Sequence, residues 1–124
     1  MTEDPKTVLD QIREKLRADY DVDANEEEFL MHYVEVNLLE VCRELQDSLD
    51  AEAWSDCEWI GQFVKSVAAN FDLPELRQAS DAILTCIEKR DAEKLALVAR
   101  KLSRMVEAIV NGKAPAVSAS AMES

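Results

Sequence analysis

Gln62 and Lys65 stand three residues apart in WIGQFVKSVAANFDLP, a stretch that reads as a helix running into a tight turn. That spacing puts an amide and an ammonium group on one helical face, where together they could meet an anionic group. Other side chains with chemical potential are scattered. His32 is the sole histidine, and Glu35 lies three residues on. Neither Glu28 nor Glu35 adds a second nitrogen or sulfur donor for a metal, so His32 reads as a surface residue. Cys42, Cys57 and Cys86 are 15 and 29 residues apart, which suits neither a paired disulfide set nor a close ligand spacing, and each falls on or beside an apolar stripe. The carboxylates are spread among lysines and arginines, as in CIEKRDAEKLALVARKLSR, and describe a solvated face. Ser55 and Ser66 flank the Gln62 strip as ordinary polar-face residues. No glycine-rich phosphate loop, serine–histidine–acid set or cysteine–histidine pair can be assembled. The expectation is a protein that is not an enzyme and has no cofactor or metal site.

Whatever these residues do, helices must position them. A chain of 124 residues holds one domain with a single core, and its 48% apolar content is enough to fill that core. With only two glycines and three prolines, the composition favours long helices and no strands. A net charge of −12 and a pI near 4.4 would repel a phosphate backbone, so nucleic acid is excluded as a partner. No apolar run approaches the roughly 20 residues needed to cross a bilayer, and MTEDPKTVLD lacks the order of a secretory signal. A cytoplasmic location away from membranes follows as the expectation.

Five helices are expected. The first spans 5–18, with Asp4 as cap, Pro5 in the first turn and Val8, Leu9, Ile12 and Leu16 as its stripe. It is short enough either to dock or to remain detached. After an acidic connector, Asn25 caps a second helix running to Leu49, with Leu30, Val34, Leu38, Val41, Leu45 and Leu49 inward. Asp50 starts a third, whose inward residues are Trp54, Cys57, Ile60, Gly61, Val64, Val67, Ala68 and Phe71. Asp72 and Glu75 in DLPE form a capping box for a fourth helix carrying Leu76, Ala79, Ile83, Leu84 and Ile87. Asp91 caps the fifth, with Leu95, Val98, Leu102, Met105, Val106 and Ile109 inward until NGK. Short connections make successive helices antiparallel, giving an all-α, up-down-up-down four-helix bundle over 26–111 with an extra N-terminal helix. Residues 1–111 form the single domain and 112–124 a flexible tail.

At 100° per residue, Gln62 falls nearly opposite the inward arc of the third helix. Glu58, Lys65, Ser66 and Ala69 share its outward strip, and Trp59, Phe63 and Asn70 border it. The aromatic pair fits either of two roles: part of a contact surface, or packing under the first helix.

GQFVKSVAANFDLPEL resembles the central helix of histidine-containing phosphotransfer (HPt) domains, whose pattern is alanine, histidine, two residues, lysine, glycine, then SAANLG. Gln62 stands at the histidine position, Lys65 at the lysine, Ser66 at the glycine, Ala68 to Asn70 at the AAN, and Asp72 at the later glycine. The similarity covers about residues 26–111 and includes EKRDAEKLALVARKL, similar to the family's turn between its last two helices. It implies an exposed imidazole that takes a phosphoryl group from a receiver-domain aspartate, a lysine that favours the added charge, and a small residue that admits the partner. An amide nitrogen is no nucleophile, so transfer through Gln62 should be absent. The implied protein is a pseudo-HPt module binding a receiver domain of a response regulator or hybrid kinase through Gln62, Lys65, Ser66, Trp59, Phe63, Glu58 and Ala69, and a monomer is expected. Two alternatives stay open: an adaptor bundle, in one form self-associating through an uncovered stripe on the first helix or around Leu39, and an active carrier using His32.

Overall fold

The computed structural model describes residues 6–116. They form five helices and, among the described residues, no strand: α1 (Val8–Tyr20), α2 (Ala24–Asp50), α3 (Trp54–Phe71), α4 (Pro74–Glu88) and α5 (Ala92–Val110). No described helix is long and apolar enough to cross a membrane.

Helix boundaries follow local hydrogen-bond chemistry, and several caps differ from expectation. Thr7 caps α1, accepting from the Asp10 N–H at 3.2 Å while the Asp10 carboxylate accepts from the Thr7 N–H at 3.0 Å. Asp4 and Pro5 lie outside the described residues. α2 is capped by Asp23 rather than Asn25, because Glu26 sits three residues after Asp23 and completes a reciprocal box. Asp50 belongs to the last turn of α2 and does not open α3, whose N-cap is Ala53 with no side-chain bond. Asp72 does not cap α4 either. It closes α3 in the left-handed region at φ +54°, leaving Leu73 as the N-cap of α4. Asp91 caps α5 as expected, accepting from the Lys94 N–H at 3.1 Å, and Gly112 at φ +69° follows its C-cap Asn111.

Helix α3 packs on α2 and α4, and α5 on α2 and α4. The core between them is built from the periodic apolar residues, with Leu38, Leu45, Val64, Ile83, Leu95 and Leu102 at most 1% exposed. Ser80 is also fully buried, and its hydroxyl donates to the Arg77 carbonyl at 2.7 Å, so the burial leaves no lone donor. Leu30, Val34, Trp54, Val67, Phe71, Leu84, Val98 and Met105, expected inward, are only half-buried.

Helix α1 is docked. Val8, Ile12 and Leu16 are buried, and Gln11 Nε2 donates to the carbonyls of Phe71 and Asp72, at 2.8 and 2.6 Å, at the end of α3. Those carbonyls have no partner within their own helix end, so the amide satisfies acceptors that would otherwise need water. On the other side Arg13 and Arg17 both donate to Glu27, and Arg13 also to Glu28. Glu27 is only 6% exposed, and the two guanidiniums hold its carboxyl below the usual value, Arg17 contributing most.

The described part of the tail expected from 112 is fastened to the fold. Residues up to Ala116 run back along the start of α1: the Val8 N–H donates to the Ala114 carbonyl at 2.9 Å and the Ala116 N–H to the Lys6 carbonyl at 2.8 Å. Thr7 and Pro115 form an isolated antiparallel bridge, and Ala116 is buried. Residues 117–124 lie outside the described part.

Candidate functional site

The strip along α3 owes its position to the inward set Cys57, Ile60, Gly61, Val64 and Ala68, all buried. Rotating away from them, Glu58, Gln62, Ser66, Ala69 and Asn70 are exposed, as the helical wheel requires. Gln62 thus projects outward from the middle of α3. Gly61 behind it faces α4, where an added Cβ would lie 2.9 Å from Leu84 Cδ2 and 3.1 Å from Ile83 Cγ2. Glycine in a helix interior costs about 1 kcal/mol against alanine; here it admits the close approach of α4 beneath the strip.

Lys65 is half-exposed and its Nζ lies 3.5 Å from an Asp81 carboxylate oxygen on α4, both side chains about half in water. A pair so exposed contributes about 0–1 kcal/mol, so an incoming anion competes with Asp81 at small cost. The ammonium is held at the edge of the strip.

Trp59 is 61% exposed and stacks on Phe63, ring centroids 5.8 Å apart and planes 15° from parallel. The two sequence-level roles for this pair divide between its members. Trp59 stands in solvent. Phe63, half-buried, lines an apolar groove of about 350 Å³ with Leu16 and Tyr20 of α1, Tyr33 of α2, and Val67 and Phe71 of α3.

No inward stripe of a single helix marks that groove, whose walls come from three helices. Its aromatic rim includes Tyr20 and Tyr33, 63% and 60% exposed, and Tyr33, an aromatic residue off the inward stripe of the second helix, is its trace in the sequence. Further along the same α2–α3 crevice, Glu44, Asp47 and Ser48 of α2 face Asp56, Trp59 and Ile60 of α3 around a second hollow of about 260 Å³.

The remaining sequence-level candidates are separate from this face. His32 is exposed on α2. Cys57 and Cys86 are buried and Cys42 half-buried, all as free thiols whose ionisation burial pushes upward. Among the described residues no group of three or more histidine, cysteine or carboxylate side chains is placed to hold a metal ion. Comparison with protein-family models, with curated proteins and with solved structures finds no match.

Proposed function

We propose that the protein is a non-catalytic HPt-like signalling module that binds a receiver domain, or a related signalling partner, without accepting phosphate. On this reading α2 to α5 form an antiparallel up-down-up-down four-helix bundle, α1 is the additional N-terminal helix, and the protein works in the cytoplasm as a monomer. The observation that carries the reading is the solvent-facing Gln62 at the middle of α3, with Lys65 one turn on. The amide has a delocalised lone pair and does not attack phosphorus. Lys65 meets the partner's acidic pocket by exchanging Asp81 for it, Ser66 and Ala69 keep the approach open, and Trp59 and Phe63 supply apolar area.

The test is transfer of labelled phosphate from phosphorylated receiver domains of the same source, alongside direct binding. The parent protein is expected to bind and accept no label, Lys65→Ala to weaken binding, and Gln62→His to acquire a trace of label. Label on the parent at any residue, His32 included, refutes the non-catalytic claim.

A second reading, a self-associating adaptor, is favoured by the uncovered face of α2, where Val36 and Leu39 are 47% and 43% exposed. Light scattering separates the two: a monomer removes the self-associating form.

A further inference from the structure

We infer that the α2–α3 crevice is a seat for an amphipathic helix of a partner protein, one with an apolar face and a basic end. The two hollows are successive stretches of one crevice. The apolar groove lies beside Leu30 to Leu38 of α2, and the acidic hollow beside Glu44 to Ser48. The Trp59–Phe63 stack joins them, since Phe63 lines the first and Trp59 the second. From Leu30 to Asp47 the crevice runs about 25 Å at the helical rise, which matches a ligand helix of four to five turns.

The walls decide the kind of occupant. Both are helices with internally paired backbones, so they present no row of free N–H and C=O groups to which an extended strand could add. Recognition must run through side chains, and an apolar groove rimmed by Tyr20, Tyr33 and Phe63 suits anchors at i, i+3, i+4 and i+7. The far end demands a cation. Glu44, Asp47 and Asp56 line one hollow with the exposed Trp59, and none forms an ion pair with another described residue. The nearby Arg43 is paired with Glu40. A lysine or arginine placed there gains the carboxylates and the tryptophan ring together.

Other occupants fit less well. The chain's own residues beyond 116, VSASAMES with the preceding Ala116, carry no lysine or arginine, so they leave the acidic end unmet. A second copy brings another −12 of charge toward the same carboxylates. The inference rests on the proposed docking role only through the shared residues Trp59 and Phe63, and it does not require the partner to be a receiver domain.

The test titrates the isotope-labelled full chain with synthetic 18-residue helical peptides, reading amide shifts and affinity. The first peptide has leucines at the i, i+3, i+4, i+7 positions and two arginines at one end; the second is its scramble; the third carries glutamine in place of arginine. The first peptide is expected to shift amides along both hollows and to bind about tenfold tighter than the scramble, a difference of about 1.4 kcal/mol. The third should bind about fivefold more weakly than the first, and D47N combined with D56N should erase that arginine preference. Both positions are exposed, so the fold survives the change. Equal binding of the scramble, shifts outside the crevice, or an arginine preference that outlives the double variant each overturns the inference. Lys65→Ala is expected to leave peptide affinity within about twofold while weakening the receiver contact, so failure of either proposal is distinguishable from failure of the other.

Discussion

Asp72 offers a test in which two accounts of one residue differ in sign. As a helix N-cap it would accept a first-turn amide of α4, and replacement by glycine would cost a few tenths of a kcal/mol. The structure instead puts it at φ +54° as the C-cap of α3, with its side chain exposed. A left-handed residue with a Cβ is penalised by about 1–2 kcal/mol, aspartate near the lower limit. Glycine removes that penalty and returns about 0.5–1 kcal/mol through the greater freedom of its unfolded chain. Both backbone bonds at this corner survive: the Asp72 N–H still donates to the Ala68 carbonyl, and Gln11 still reaches the Asp72 carbonyl. Asp72→Gly is therefore expected to stabilise by about 0.5 kcal/mol, raising the melting temperature by about 2 °C. Glu52, at φ +55° in the α2–α3 turn, supplies the internal scale. Glutamate lacks aspartate's tolerance of this region, so Glu52→Gly should gain more, about 1 kcal/mol. Thermal and urea unfolding followed by circular dichroism read both variants. Loss of stability in Asp72→Gly, while Glu52→Gly gains, would return Asp72 to the cap of α4 and refute the assignment.

Acid should release α1 before the rest of the molecule. The Glu27 carboxyl is held below its ordinary value of 4.5 by Arg17 and Arg13, so its contribution is complete above that value and fades as pH falls through the depressed one; amide exchange in α1 accelerating ahead of α3 and α4 would show it, and uniform protection would contradict it. Asp10, lowered by its bond to the Thr7 amide, acts in the same direction at the start of α1. Gly61→Val should cost about 1–3 kcal/mol, because the first added carbon already falls 2.9 Å from Leu84. An unchanged unfolding midpoint for that variant would mean that α3 and α4 do not approach as described.

The helices themselves were legible because burial imposes one period on each of them. Every inward residue expected on α1 to α5 is buried or half-buried, and Gln62 is exposed for the same geometric reason. Caps were less legible, since Asn25, Asp50 and Asp72 are all chemically suitable and the choice falls to residues around them. Glu26 completes a box with Asp23, not Asn25, and the α2–α3 and α3–α4 corners are closed by left-handed Glu52 and Asp72, a conformation that no composition rule assigns to a glutamate. Glu27 was the largest surprise on α2. It is not among the inward residues expected of that helix, yet it is buried because two arginines from another helix arrive over it, a partnership between residues 10 and 14 positions away that local periodicity does not encode. The apolar groove escaped notice for the same reason, as its walls belong to three helices.

This shared origin ties the ionic contacts of α1 to the candidate docking surface. Leu16 and Tyr20 form one wall of the groove, and both lie on the helix that Arg13, Arg17 and Gln11 fasten to α2 and to the end of α3. Without α1 in place, Phe63, Val67 and Phe71 would lie on an open face, where an apolar ligand is covered on fewer sides and buries less area per contact. The groove is therefore a property of docked α1, and the carboxylate of Glu27, which touches no groove residue through its hydrogen bonds, governs its shape through helix position. A surface built this way has its apolar affinity set partly by charge, in a chain whose net charge of −12 makes each well-placed arginine count.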